Sequence, residues 1–197
     1  MSIATLPLPT RDIVSPDSAF PWFALRVRSK HERIAAFHLR ERGFEEFSPS
    51  YKEESQWSDR KKTMERFLFP GYVFCRLNPQ DRLPVLTVPG VVDLVGFGGG
   101  PCAIPDFEIE QVRTMVQSGL LVTPWPFLEV GQTVLLEHGP LTGLEGILEE
   151  VKGKLRLVVS IRLLQRSVST EVDRKWVRPV NPSTPKRPPN GHDVRVG

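Results

Sequence analysis

The run Phe67-Leu68-Phe69-Pro70-Gly71-Tyr72-Val73-Phe74-Cys75-Arg76-Leu77 sets aromatic residues on both sides of a Pro-Gly break inside an apolar strand. After the break the side chains alternate, so Tyr72, Phe74 and Arg76 share one face while Val73, Cys75 and Leu77 share the other. Both faces begin apolar. One reading is a central strand buried on both sides, the commoner case. The other gives the Val73 face to the core and makes Tyr72 and Phe74 the floor of a partner pocket, because tyrosine joins a large apolar body to a polar tip.

A chain of 197 residues, 40% of them hydrophobic, holds one ordinary domain or two small ones. No stretch approaches the roughly 18 to 20 consecutive apolar residues that span a bilayer, and Arg11 and Asp12 interrupt the Pro-rich start where a signal peptide needs an apolar run. The expectation is a soluble cytoplasmic protein with no membrane association. Cys75 and Cys102 have no ligand-like spacing to each other or to His31, His38, His138 and His192, so neither a metal, a cofactor nor a disulfide framework is expected. The net charge of +3 fits a nucleic-acid neighbour without demanding one. Arg60, Lys61, Lys62 and Arg66 crowd one polar segment, which also suits a solvated loop.

Residues 1–19 and 181–197 are proline-rich and aperiodic and read as a disordered leader and tail. Order begins with a strand at Trp22–Arg28. A helix follows, with Ser29 as N-cap, Glu32 completing a capping box, Gly43 ending it, and Ile34, Phe37 and Leu39 facing the sheet. A strand at Phe44–Tyr51, the charged segment Lys52–Glu65 and the aromatic strand make a long hairpin with a basic tip. A short helix at Gln80–Thr87, a strand at Val91–Phe97 and a helix at Pro105–Gly119 carrying Ile109, Val112, Met115 and Val116 on one face complete the first domain, residues 20–119. Pro124, Trp125 and Pro126 mark 120–128 as a linker. Runs at Thr133–Glu137, Gly146–Val151, Leu155–Ile161 and Val168–Val172, broken by glycine turns, then make a small barrel over 129–180. The fold class is α+β: an antiparallel sheet flanked by helices, followed by a small all-β barrel.

These residues resemble a known family. Trp22-Phe23-Ala24-Leu25, Phe69-Pro70-Gly71-Tyr72-Val73-Phe74 and Gly90-Val91-Val92 before Phe97-Gly98 look like the N-terminal domain of NusG-type elongation factors. Val130-Gly131, Val134, Gly139-Pro140-Leu141 and Gly143-Leu144-Glu145-Gly146-Ile147 look like the KOW motif, which makes the barrel SH3-like. Each piece is common alone; both modules in this order are specific.

The resemblance implies a pocket for the clamp helices of the RNA polymerase β′ subunit, made by Tyr72, Phe74, Phe97, Ile109 and Val112. It implies a second contact to the β-subunit gate loop, although Asp81-Arg82-Leu83-Pro84 replaces the His-Thr-Thr-Thr stretch of RfaH. It implies that Arg28, Lys30, His31 and His38 face non-template DNA or nascent RNA, and the basic run Arg60, Lys61 and Lys62 is expected to face nucleic acid with them. For the KOW domain it implies NusE or Rho as partner through Leu141, Leu144, Ile161 and Leu163, with leucines in place of the usual aromatics. The strand Leu155–Ile161 is too β-branched for the helical refolding known in RfaH. The expected protein is a monomeric, non-enzymatic antitermination factor that suppresses pausing on specific operons, like the RfaH, LoaP and UpxY groups. The alternative is a ribosome-associated or RNA-binding KOW protein with no polymerase role.

Overall fold

The computed structural model describes residues 20–57, 60–128 and 131–180. The leader and the tail expected at 1–19 and 181–197 lie outside them. The chain divides into two compact units, the first ending at Ile109 and the second beginning at Glu110.

The first unit runs β1 (Trp22–Val27), α1 (Glu32–Glu41), β2 (Glu46–Phe47), β3 (Ser50–Trp57), β4 (Arg60–Phe67), β5 (Tyr72–Arg76), α2 (Leu83–Leu86), β6 (Val91–Leu94), β7 (Gly96–Phe97), β8 (Gly100–Pro101) and β9 (Ala103–Ile104). The helix α3 (Asp106–Gln117) crosses the unit boundary. The central sheet has the order β2-β5-β1-β6, and β9 pairs with β1. β5 runs antiparallel to β1 with Phe74 opposite Ala24 and Val73 opposite Leu25. Alternation therefore sorts the sheet as the sequence indicates. Val73, Cys75 and Leu77 join Phe23, Leu25 and Val27, and α1 and the segment around α2 cover that face with Ala35, Ala36, Leu39, Val85 and Val88. Burial at the centre of this cluster pushes the Cys75 thiol up to about 12, so it stays protonated and unreactive.

α1 departs from expectation in two ways. Its buried residues are Glu32, Ala35, Ala36 and Leu39, while Ile34 and Phe37 are exposed. Small alanines let the helix approach the sheet closely, which turns the bulkier pair outward. The capping box also does not form. Lys30 takes a positive φ of 65°, which shifts the N-cap to His31, with no side-chain cap. Glu32 is buried and accepts instead from the Gly71 N–H, at 2.8 Å. Gly71 has φ 85° and its carbonyl accepts from Val27 N at 2.9 Å, so the Pro-Gly turn is held between the end of β1 and the start of α1. Glu32→Ala should cost about 1–3 kcal/mol by orphaning that N–H. Glu32→Gln keeps a carbonyl acceptor and should restore most of the loss, read as urea midpoints of the two variants.

β3 and β4 form the long hairpin, in register from Ser50 opposite Phe67 to Trp57 opposite Arg60. Its base is tied to α1 by Arg33 Nη2 to Glu65 Oε2 at 2.6 Å, while Ser50 Oγ donates to Glu65 Oε1 at 2.6 Å. The Ser50 hydrogen bond first, then the Arg33 guanidinium, hold the Glu65 carboxyl below the usual carboxylate range. A depressed folded value means that the stabilisation is present above the unfolded value of 4.5 and is lost as pH falls through the folded one. Carboxyl-detected NMR should therefore show Glu65 titrating below 4.5, and Arg33→Ala should move it upward.

The second unit contains β10 (Thr123–Trp125), β11 (Gln132–Leu136), β12 (Glu145–Val151), β13 (Lys154–Ile161), β14 (Arg166–Glu171) and β15 (Val177–Pro179), in one antiparallel sheet of order β10-β14-β13-β12-β11-β15. Its core is Val134, Leu136, Leu141, Leu144, Leu157, Val158, Val159, Ile161 and Val168. The alternating run at Leu155–Ile161 is the strand β13, paired on both sides. Thr123–Trp125, expected within a connector, is an edge strand on β14. The segment is fastened beyond the ladder: Thr170 Oγ1 donates to Leu121 O at 3.0 Å, Leu128 N to Ser167 Oγ at 3.2 Å, and Ser160 Oγ to Leu128 O at 3.0 Å. These bonds satisfy the buried hydroxyls of Ser167 and Thr170. Trp125 lies under the Arg156 guanidinium, 4.4 Å from its ring centroid.

Candidate functional site

The second face of the central sheet is built from Trp22, Ala24 and Arg26 of β1 beside Arg76, Phe74 and Tyr72 of β5, in antiparallel register. One end is closed. Arg76 stacks over Trp22 at 4.8 Å, pairs with Glu45 at 3.0 Å and with Asp106 at 2.7 Å, and donates to Phe20 O at 2.8 Å. Phe74 sits in the middle, edge-on to Phe69 with centroids 5.2 Å apart and tilted against Phe47 at 6.2 Å. The other end is open. Tyr72 is half-buried opposite Arg26, whose guanidinium makes a two-point pair with Asp93, at 3.0 and 2.5 Å.

Of the five expected pocket residues, Phe74, Ile109 and Val112 are fully buried and act as core. The reason is the aromatic packing around Phe74 and, for the helix, the burial of Ile109 and Val112 with Met115 on one stripe of α3. Tyr72 and Phe97 keep surface. Phe97 is 71% exposed at the base of a two-residue turn in which Gly98 and Gly99 both take positive φ, 61° and 89°. Such a turn admits glycine where other residues would be strained. The β7–β8 hairpin also walls an open cleft of about 310 Å³, lined by Arg82, Leu86, Asp93, Leu94, Gly96 and Pro101 among others. Of this lining only Arg82 lies in the segment that the sequence connected with a binding role, Asp81-Arg82-Leu83-Pro84. The cleft comes from a glycine hairpin folding back beside α2, which no linear spacing encodes.

The expected cationic residues divide. Arg28 and Lys30 are exposed, and among the described residues no carboxylate pairs with either. His31 is half-buried: it packs where a Gly90 side chain would stand, with its Cβ 2.7 Å and its ring 3.2 Å from that Cβ position, and Nδ1 lies 3.0 Å from Ser29 O. His31 therefore shapes the Gly90 turn. His38 is half-buried and meets Phe37 edge-on at 5.4 Å. Arg60, Lys61 and Lys62 lie on β4 opposite Trp57, Gln56 and Ser55, and their side chains fall outside the described residues.

In the second unit, Leu141, Leu144 and Ile161, expected on a partner surface, are core. They fill the interior of the small sheet together with Val134, Leu136, Leu157, Val158, Val159 and Val168. Leu163, half-exposed in the turn Arg162–Leu164, is the one of the four with surface to offer. Among the described residues no group of three His, Cys, Asp or Glu stands close enough to hold a metal ion, and no helix is long and apolar enough to cross a membrane.

Comparison with known proteins matches the family described as transcription termination factor nusG to residues 20–113, which takes in the whole face just described. The transcription termination/antitermination protein NusG of Escherichia coli K12 is 32% identical over 163 residues, 79% of this chain and 89% of that protein. The protein of the same name from Pseudomonas aeruginosa is 29% identical over 160 residues, 78% of this chain and 90% of its own length. A solved structure of Thermotoga maritima NusG, described by its domain interaction, aligns over 80% of this chain and 95% of its own, with a TM-score of 0.47 and 20% identity.

Proposed function

The chain belongs to the NusG family of transcription termination/antitermination factors, and from that premise we propose that it binds elongating RNA polymerase and suppresses pausing and termination. The contact is with the β′ clamp helices, through the open end of the aromatic face. The observation that carries this reading is Tyr72, half-buried on the same sheet face as Phe74, together with Phe97, exposed beside the Gly98-Gly99 turn. Large aromatic anchors are the side chains that concentrate binding energy at interfaces. Phe74 serves the site from beneath, through its packing against Phe69 and Phe47.

Arg82, beside the open cleft, is suited to the second contact, on the β subunit. Bridging the two subunits disfavours the open, paused enzyme, because a ligand shifts an equilibrium only through its differential affinity for the two states. No catalytic chemistry is involved, and the protein works as a cytoplasmic monomer. Arg28 and Lys30 face non-template DNA or nascent RNA. The turn at Leu163 is the surface through which the KOW unit meets NusE or Rho. The Asp81-Arg82-Leu83-Pro84 segment and the leucines of the KOW loops favour an operon-specific paralogue over a housekeeping factor.

Co-precipitation with core polymerase tests the reading. Wild type should retain the enzyme, and Tyr72→Asp with Phe97→Asp should lose it. Equal retention by the double variant would reject the aromatic contact, and failure of wild type would return the protein to the RNA-binding class. In transcription on templates carrying pauses and terminators, addition of the protein should shorten pauses and increase readthrough.

A further inference from the structure

We propose that the strand β10 and the residues that flank it form a strap that sets where the chain from α3 joins the barrel, at the end opposite the Leu163 turn, so that the turn stays clear for a partner. The inference rests on the reading of that turn as the partner surface. β10 lies along β14 in antiparallel register, with Thr123 opposite Ser169 and Trp125 opposite Ser167. The two ends of the strap are fastened at different heights. Leu121 O accepts from Thr170 Oγ1 at 3.0 Å, while Leu128 N donates to Ser167 Oγ at 3.2 Å and Leu128 O accepts from Ser160 Oγ at 3.0 Å. Ser160 and Ser167 are paired one rung from Ile161 and Arg166, which close the turn that contains Leu163. Thr170 lies about 10 Å further along β14 than Ser167, at a strand rise of about 3.3 Å per residue.

The strap is held more closely than a tether needs. A flexible linker is built of small polar residues that stay solvated, whereas here Val122 is buried and Trp125 reaches across the sheet. Trp125 Nε1 donates to Glu149 on β12, its ring lies under Arg156 of β13, and Arg156 Nε donates to Ser169 Oγ of β14 at 3.1 Å. One side chain thus ties an edge strand to elements beyond its own ladder neighbour. With β10 off the sheet, the first fastened residue after α3 would be Leu128, beside the turn. The chain leading back to α3 would then leave the barrel next to Leu163 and sweep the surface that a partner must approach. With β10 on the sheet that chain leaves at Leu121, at the other end of β14. A protein of two binding modules gains from the second only when the geometry lets both engage at once. The strap supplies that geometry from within the second unit.

Amide heteronuclear NOE values of residues 121–128 in the wild-type full chain should match those of β13 and β14; values typical of mobile chain would overturn the proposal. Leu163→Cys in a Cys102→Ser background places a reactive thiol on the turn, since Cys75 is buried. Its rates with a small maleimide and with a maleimide on a long polyethylene glycol are then compared in the full chain. Adding Trp125→Ala with Thr170→Val releases the strap and should lower the ratio of large-reagent to small-reagent rates several-fold, because only the bulky reagent meets the displaced chain. Adding Trp125→Phe, which keeps a ring under Arg156, should hold the ratio of the parent. If the paired substitutions unfold the barrel, Trp125→Ala alone serves the same comparison. An unchanged ratio once residues 121–128 have become mobile shows that the strap does not guard the turn. Binding to purified NusE and Rho decides the underlying reading separately. A Leu163→Asp chain that binds them as wild type does removes the turn as a partner surface, whereas an unchanged reagent ratio removes the strap alone.

Discussion

Phe74→Ala should destabilise the first unit by about 3–5 kcal/mol, the usual result of emptying a fully buried phenylalanine site. Phe74 is the middle of three rings, between Phe69 and Phe47, so its loss leaves a cavity that two aromatic neighbours border. Neither neighbour can collapse into it without leaving its own packing. Phe97→Ala should behave in the opposite way, shifting stability by roughly 0.5 kcal/mol or less because the ring is mostly in solvent. Its effect should fall on polymerase binding, where truncating a central aromatic anchor costs about 2 kcal/mol or more, some thirtyfold in affinity. Urea unfolding and polymerase binding measured on the same two variants give a crossed pattern. Loss of stability in both, or loss of binding in Phe74→Ala at temperatures where it remains folded, would contradict the division between support and contact.

That division was only half legible in the sequence. The alternation of Tyr72-Val73-Phe74-Cys75 states which side chains share a face, because strand geometry has a period of two and leaves no freedom. It does not state how far each face is covered. Coverage of Phe74 comes from Phe47 and Phe69, which reach it through sheet order and the Pro-Gly turn. The same limit explains α1. Helical spacing identifies an apolar stripe, but Ala35 and Ala36 compete with Ile34 and Phe37 for the inside, and the contest is decided by how closely the helix must approach the sheet. Hydrophobicity alone ranks them in the wrong order. Ser29 and Glu32 have capping-box spacing, yet the positive φ of Lys30 places one residue of left-handed backbone between them and frees Glu32 for Gly71.

The strand β10 was hidden for a different reason. Prolines on both sides of Trp125 read as a connector, since proline cannot donate to a ladder. On an edge strand that objection disappears: β10 pairs on one side only, with β14, and a residue directed away from β14 needs no N–H. The resemblance puts Leu141, Leu144 and Ile161 on a binding surface, and the structure buries all three. In so small a sheet, leucine and isoleucine at those places are needed to fill the interior, and surface is left to the turn at Leu163.

Gly146→Val should be the most damaging single substitution in the second unit. Gly146 lies on β12 opposite Val134, next to the position where Ile147 faces Val158 of β13. A Cβ there would stand 2.8 Å from the Val158 carbonyl oxygen and 3.0 Å from Leu157 Cδ1. The first of these is backbone in a strand paired on both sides, so it cannot swing aside as a long side chain could, and relief requires β12 and β13 to part. Overpacking of a well-filled interior usually costs about 1–3 kcal/mol. Here the γ-methyls of valine add to a Cβ that already has no room, and the ladder itself must open, so a loss of about 3 kcal/mol or more is expected. In an amide correlation spectrum the resonances of residues 123–179 should collapse to unfolded positions while those of residues 22–104 persist. A variant whose second unit keeps dispersed resonances and melts within a few degrees of wild type would show that the β12–β13 contact is looser than the ladder implies. With the collapse observed, polymerase binding should survive through Tyr72 and Phe97, and any binding through Leu163 should be lost, because the turn that presents it exists only while β13 and β14 are paired.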